Sequence, residues 1–332
     1  MKAHHLLSLT LVFSLALITS CSKNGDSPHS SNFATTPPQE NTSESASLIS
    51  NEPKNNISNP ENATTLNICA RGTAISNAVT KALNAESCET VSIKDMANLR
   101  TLDLHTEASW ANQLQIDKIS ANTFEGLTSL EELDLSGNLI ESIDEETFKN
   151  LSSLKILNLS RNKINSLSNN AFQSLASLEI LDLGHNSITN IPAKIFDGLA
   201  TLNSLNLSGN SIGSLEQLSL KGLSNLITLN LSKNKIKKIE INSFSELAQV
   251  KTLDLSENSL SRILKYNFKG LSALETLDLS KNKIVKLEAK AFSGLDHIAT
   301  LNLSKNPIRL MERFRSGLEE EVNILGMGLV NP

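Results

Sequence analysis

Leu154-Lys155-Ile156-Leu157-Asn158-Leu159-Ser160-Arg161-Asn162-Lys163-Ile164 carries the pattern Leu-x-x-Leu-x-Leu-x-x-Asn-x-Ile, and it returns at Leu274-Glu275-Thr276-Leu277-Asp278-Leu279-Ser280-Lys281-Asn282-Lys283-Ile284. In that register the asparagines are Asn138, Asn162, Asn186, Asn210, Asn234, Asn258, Asn282 and Asn306, always 24 residues apart. A leucine pair precedes each one, from Leu133 and Leu135 to Leu301 and Leu303. A third column lies ten residues past each asparagine: Phe148, Phe172, Phe196, Leu220, Phe244, Phe268 and Phe292, with Phe124 one period earlier. Three independent registers at one period exclude coincidence and define a repeat architecture.

Composition agrees. Of 332 residues 55 are Leu, while aromatics make up 4%, far from ordinary usage. Leu-x-Leu alternation makes a short strand with both leucines inward, and equivalent strands from successive turns stack in parallel about 4.8 Å apart. Nine such strands form an arc roughly 40 Å long. The asparagine turns the chain off the strand, and its amide is placed to bond backbone groups of adjoining turns. The Phe column packs under the convex side.

The repeat resembles the leucine-rich repeat superfamily in its extracellular form LxxLxLxxNxIxxLxxxxFxxLxx, over about residues 91–310. That resemblance implies an α/β solenoid, a curved horseshoe with a parallel β-sheet on its concave face. Residues 94–310 are expected to hold about nine repeats, and residues 311–332, with Met311, Phe314, Leu318, Val322, Ile324 and Leu325, to cover the last one as a C-terminal cap.

Residues 1–20 read as an export signal: Lys2 supplies the positive end, and Leu6 to Ile18 an apolar stretch too short for a stable membrane anchor. Ile18-Thr19-Ser20-Cys21 resembles the lipobox of bacterial lipoproteins, which implies diacylglycerol on the Cys21 thiol. Ser22 stands where such proteins carry Asp for inner-membrane retention, which favours the outer membrane. Each buried methylene of the acyl chains contributes about 0.8 kcal/mol, so two or three chains hold a protein on a bilayer without a transmembrane helix. Residues 21–65 are rich in Ser, Asn, Thr, Pro and Glu and too poor in large apolar residues to offset chain entropy. They are expected to form a flexible tether with a reach of roughly 35 to 40 Å.

With Cys21 assigned to lipid, Cys69 and Cys88 remain as an even pair outside the cytosol and are expected to form a disulfide. No CxxC exists, so the pair reads as a structural clip. Between them Ile75, Ala78, Val79, Ala82 and Leu83 recur at helical spacing, with Thr73 as N-cap. Residues 66–93 thus predict a cap closing the open end of the solenoid core. Cys69-Ala70-Arg71-Gly72-Thr73, a helix and then Cys88 also resemble the N-terminal cap of some bacterial members of the group.

Two places are candidate contacts. The first copy, Leu99 to Leu104, precedes the second by 31 residues rather than 24, and the extra chain, residues 105–115, includes His105 and the single tryptophan, Trp110. A loop leaving a strand end is a common place for recognition residues, and Trp is a frequent binding hot spot; the alternative is that Trp110 folds back to complete the cap. The other candidate is the set of residues facing the concave side. Its central row includes Asp134, Asp182, Asp254 and Asp278, and Ile156 and Ile180 make its one apolar patch. The row is otherwise small, polar and monotonous, poor in the Trp, Tyr and Arg that grip protein ligands.

Formal net charge is −5, so no global basic field favours nucleic acid. Charge is nonetheless uneven: Asp117 to Glu146 holds nine acidic residues and one basic, while Lys233 to Arg315 holds sixteen basic and nine acidic. Asp182, His185 and Ser160 or Ser208 contain the residue types of a hydrolytic triad, but a regular solenoid exposes them to water without an oxyanion hole. Asp254 and Asp278 lack the six or more oxygens a hard cation wants. No phosphate-binding loop, HExxH or Cys/His cluster is present, and no metal, cofactor or catalytic residue is expected. The expectation is a monomeric, lipid-anchored protein of the outer membrane or cell surface that binds a protein or glycan ligand, for instance in adhesion. The alternative is a periplasmic structural protein contacting peptidoglycan or other envelope components.

Overall fold

A computed structural model of the chain describes residues 68–106, 115–308 and 323–325. The export signal, Cys21, the tether and Trp110 lie outside the described residues, as does most of the expected C-terminal cap. Each Leu-x-Leu segment is a three-residue strand whose middle leucine is buried: β1 (Thr101–Asp103), β2 (Glu132–Asp134), β3 (Ile156–Asn158), β4 (Ile180–Asp182), β5 (Ser204–Asn206), β6 (Thr228–Asn230), β7 (Thr252–Asp254), β8 (Thr276–Asp278) and β9 (Thr300–Asn302). They form one parallel sheet in chain order, each leucine opposite its counterpart, as in Leu157↔Leu181. The 31-residue first interval keeps the same register, Leu102↔Leu133, so its extra length does not shift the sheet.

A tenth strand, β10 (Asn323–Leu325), extends the nine expected from the repeat. It pairs in parallel with β9, Leu301↔Ile324, and the Leu303 amide donates to the Leu325 carbonyl at 3.1 Å. The tail therefore adds backbone pairing to the last repeat.

The asparagine column works as a ladder between turns. The Asn162 amide nitrogen donates to Leu135 O in the preceding turn at 2.9 Å and to Leu159 O in its own at 3.1 Å, while Oδ1 accepts from Ile140 N at 3.1 Å. All eight asparagines repeat this triple contact, from Asn138 (Leu104 O, Leu135 O and Ile116 N) to Asn306 (Leu279 O, Leu303 O and Ile284 N). The residue just before each asparagine is left-handed: Gly137, Arg161, His185, Gly209, Lys233, Glu257, Lys281 and Lys305. L-residues adopt this conformation at a cost of roughly 1–2 kcal/mol each. The kink turns their N–H groups onto the next turn, as where Arg161 N donates to Gly184 O at 2.9 Å.

Along the back, Phe124, Phe148 and Phe172 stack with ring centroids 6.1 Å apart, and Phe244, Phe268 and Phe292 at 6.2 and 5.8 Å. Phe196 and Leu220 lie between the two stacks and are both buried.

At the N-terminal end, a 3-10 turn (Ile68–Arg71), α1 (Thr73–Ala82) and α2 (Ile93–Ala97) cover the first repeat through buried Ile68, Ile75, Val79 and Met96. Cys69 and Cys88 are disulfide-bonded, with Cα atoms 5.3 Å apart. Arg71 Nη1 ties the cap to the first turn through the carbonyls of Thr123 at 3.1 Å and Glu125 at 2.5 Å. Two details correct the sequence reading. The N-cap of α1 is Gly72, at φ 94°, and Thr73 is the first helical residue. The cap also runs on into α2, started by a box in which Ser92 Oγ accepts from Asp95 N and Asp95 Oδ2 from Ser92 N, each at 3.2 Å.

Cys69 and Cys88 are expected to resist alkylation until reduced, and Cys69→Ser/Cys88→Ser to lower stability by about 3 kcal/mol, the loop-closure value for so short a loop. Equal alkylation with and without reductant, followed by peptide mass spectrometry, contradicts the clip.

Candidate functional site

The residue between the two leucines of each strand projects from the concave side. Every acidic or amide side chain in this row caps its own strand end: Asp134 Oδ1 accepts from Ser136 N at 2.8 Å, Asp182 Oδ1 from Gly184 N at 2.8 Å, Asp254 Oδ1 from Ser256 N at 2.8 Å and Asp278 Oδ1 from Ser280 N at 2.7 Å. Asn158, Asn206, Asn230 and Asn302 do the same with the residue two further on. Short polar side chains at strand ends hold the backbone this way wherever Asp or Asn is present.

The row is also joined sideways. Asn158 Nδ2 donates to Asp134 at 3.1 Å, Asn206 Nδ2 to Asp182 at 2.8 Å and Asn302 Nδ2 to Asp278 at 2.9 Å. The serines following the strands are less open than the sequence implies. Ser208, Ser232 and Ser280 are buried, and so is Asn206. Two of these columns therefore shape the surface as much as they offer it to a ligand.

Ile156 and Ile180 are directly paired across β3 and β4, both half-buried, with Glu132 on one side and Ser204 on the other. Asp134 stands on the flanking strand β2, opposite Asn158, and Asp182 on β4 itself, two residues past Ile180. The pair lies in the N-terminal half of the sheet, with the carboxylates of Asp134 and Asp182 on the same face. Asp254 and Asp278 are neighbours farther along, on β7 and β8. Among the described residues no group of three or more His, Cys, Asp or Glu is arranged to hold a metal ion.

Asp182 is the most perturbed carboxyl of the face. Burial pushes its pKa up to about 6, against hydrogen bonds from Gly184 and Asn206 that favour the charged form. The environment has a visible cause at Gly184, which stands where most other turns carry Ser. A Cβ there would lie 2.6 Å from Asn206 Nδ2 and 3.0 Å from Asp182 Oδ1, so glycine lets the Asn206 amide close over the carboxylate. Burial raises the Asp254 carboxyl as well. The His185 ring lies against Gly209, and burial with Arg161 and Lys233 nearby holds it below its ordinary pKa. The Asp182 carboxylate is bonded to Gly184 and Asn206 rather than to His185, so Asp182, His185 and Ser208 are not joined as a proton relay.

His105, at the start of the extra chain, is exposed, with its Nδ1 2.5 Å from Asp103 Oδ1. Thr106 then bonds the Gly137 carbonyl through its hydroxyl. Residues 107–114, Trp110 among them, lie outside the described residues.

A leucine rich repeat model matches in six overlapping stretches, 97–164, 137–188, 153–212, 178–226, 200–260 and 248–308, well over half of the chain. The chain belongs to the leucine-rich repeat family. Among solved structures, this leucine-rich repeat chain is similar to TLR13 in a TLR13–ssRNA13 complex, at 35% identity and a TM-score of 0.59, covering 64% of this chain. It spans only 30% of the TLR13 chain. An internalin (inlF) from Listeria monocytogenes str. 4b F2365 matches with a TM-score of 0.53 at 18% identity, over 80% of this chain and 78% of that one, a likeness of fold alone. Comparison with curated proteins gave no match. Chains as different as these two share the architecture, so the repeat by itself selects no ligand.

Asp182 binds a proton more tightly in the folded chain than in the unfolded one, where its pKa is near 3.8. Its contribution to stability is therefore present at low pH and lost as pH rises through about 6. Asp182→Asn keeps an acceptor for the Gly184 amide and removes the charge. It is expected to melt higher than the wild type at neutral pH and alike at about pH 4. A lower melting temperature at neutral pH contradicts this reading.

Proposed function

We propose that this leucine-rich repeat protein is a lipid-anchored bacterial envelope protein that recognises a protein or glycan ligand on its concave face, at the outer membrane or cell surface. Membership in the family supports recognition as the general role. The lipobox-like Ile18-Thr19-Ser20-Cys21 supports an acyl anchor on Cys21, and the polar segment after it supports a solenoid held away from the bilayer. The observation that carries the reading is the apolar Ile156–Ile180 pair beside Asp134 and Asp182. A sheet held together elsewhere by its own ladders leaves this pair half-exposed among hydrogen-bond acceptors, which suits the mixed apolar and hydroxyl faces of a sugar or a small protein epitope. The role proposed is binding, with no catalytic step.

A second reading has its own support. The central Asp and Asn row is bonded within the face, which lowers its capacity to grip a specific ligand and favours a periplasmic structural protein contacting peptidoglycan or other envelope components.

Proteinase shaving of intact cells separates the two, with a periplasmic protein as leakage control and released peptides identified by mass spectrometry. Release of tether or repeat peptides from intact cells is expected for surface recognition. Release only after permeabilisation contradicts surface exposure and moves the structural reading to first place.

A further inference from the structure

The back of the solenoid changes character in its C-terminal half. Leu218, Ile241 and Tyr266 are exposed at 46%, 54% and 44%. They sit on three consecutive turns, those carrying Leu220, Phe244 and Phe268, and the stacked rings beneath place such turns about 6 Å apart. Exposed apolar side chains that adjoin one another mark interaction surfaces more often than scattered ones do. Tyr266 is also the only tyrosine in the chain.

Around Tyr266 the charge is mostly basic. Lys265 Nζ stands 4.4 Å from the centre of the Tyr266 ring. Lys265, Lys290 and Lys269 together hold the tyrosine hydroxyl below its ordinary pKa, which places all three within electrostatic reach. The three lysines are exposed. The nearby carboxylates are already engaged: Glu240 with Lys238, Glu246 with the Gly222 amide, and Glu288 with the Lys265 amide. The result is an exposed patch with apolar side chains on successive turns and lysines around Tyr266.

We propose that the back of the last four turns docks on the anionic face of a lipid bilayer, with Leu218, Ile241 and Tyr266 entering the headgroup region and Lys265, Lys269 and Lys290 meeting its phosphates. Tyr has an apolar body and a polar tip suited to a membrane interface, and lysine stems lie along apolar surface while their ammonium groups reach charge. A convex surface meets a flat sheet where a concave one does not. A second copy of this chain fits worse: its acidic stretch, Asp117 to Glu146, supplies the charge, but none of its described residues is an exposed large apolar side chain to cover Ile241 and Tyr266. Docking of this kind holds the concave face away from the membrane, and it does not depend on the acyl anchor or on the ligand proposed above.

The test is co-sedimentation of the full-length Cys21→Ser chain with vesicles of phosphatidylcholine and phosphatidylglycerol in equal parts, and with vesicles of phosphatidylcholine alone. Ile241→Ser/Tyr266→Ser removes the apolar centre, and Lys265→Gln/Lys269→Gln/Lys290→Gln the rim. Lys81→Gln/Lys94→Gln/Lys163→Gln makes the same charge change elsewhere. All these positions are exposed, so folding checked by circular dichroism should be unaltered. The apolar stretch Leu6 to Ile18 is present in every version, so its contribution cancels between variants compared on the same vesicles. Binding is expected on the anionic vesicles and to weaken with salt. The rim variant should bind roughly a hundredfold less tightly, the apolar variant also less tightly, and the control variant like the parent. Equal binding to phosphatidylcholine alone, a rim variant no weaker than the control, or no binding at all overturns the assignment; the last result points instead to a protein partner for the patch.

Discussion

One side-chain amide, repeated every 24 residues, holds the molecule together. Each asparagine donates to a carbonyl of its own turn and one of the turn before, and accepts from a backbone amide between them. A solenoid has no other way to satisfy these groups, because the chain leaves the strand just where sheet pairing ends and the interior begins. Each leucine carbonyl accepts from the asparagines of two successive turns, as Leu135 O does from Asn138 and Asn162, so removing one such amide leaves one buried backbone N–H without a partner, at about 1–3 kcal/mol, and two carbonyls with one donor fewer. The left-handed residue before each asparagine belongs to the same device: it aims one more N–H at the following turn, and the chain tolerates Arg, His, Lys or Glu there despite the conformational cost. The leucines supply burial, but the asparagines fix the distance between turns and hence the register of the sheet.

From that constraint follow the ends and the face. Each turn touches only its neighbours, so the first and last turns would present bare core. At one end α1, α2 and the Cys69–Cys88 bond cover it, with Arg71 reaching the back of the first turn; at the other, β10 pairs with β9. On the concave side the same economy of polar groups recurs, as the central Asp and Asn row caps strand ends and bonds sideways. Ligand specificity then falls to positions outside that row: the Ile156–Ile180 pair, and the carboxyl of Asp182, perturbed because Gly184 lets Asn206 close over it.

The three periodic columns were legible in the sequence because each does one structural task at one fixed spacing. Leu, Asn and Phe have no substitutes that perform those tasks equally, Leu220 being the single exception in the Phe column. The disulfide was legible from counting. Other features were not, for physical reasons. The left-handed column is chemically mixed, since its conformation is imposed by the turn and not by the residue. β10 pairs with β9 at an offset of 23 residues, out of period, so Asn323-Ile324-Leu325 carries no repeat signature. The burial of Ser208 and Asn206 depends on neighbouring turns. Leu218 and Tyr266 share one column of the repeat, but Asn242 stands between them and Ile241 lies one residue off it, so the three form no periodic apolar signature. The capping box of Ser92 and Asp95 was readable by its spacing, and marks the one local signature that the repeat overshadowed.

Amide hydrogen exchange, followed residue by residue by NMR in the wild type and in Asn234→Ala, tests the ladder most directly. Asn234 accepts from Ile212 N at 3.0 Å and donates to Leu207 O and Leu231 O at 2.9 and 3.1 Å. The expected result is faster exchange at Ile212 and in the two turns that share this amide, with the turns near both ends protected as before. Unchanged protection at Ile212, or a uniform loss along the whole solenoid, would contradict the claim that each asparagine joins one turn to the next.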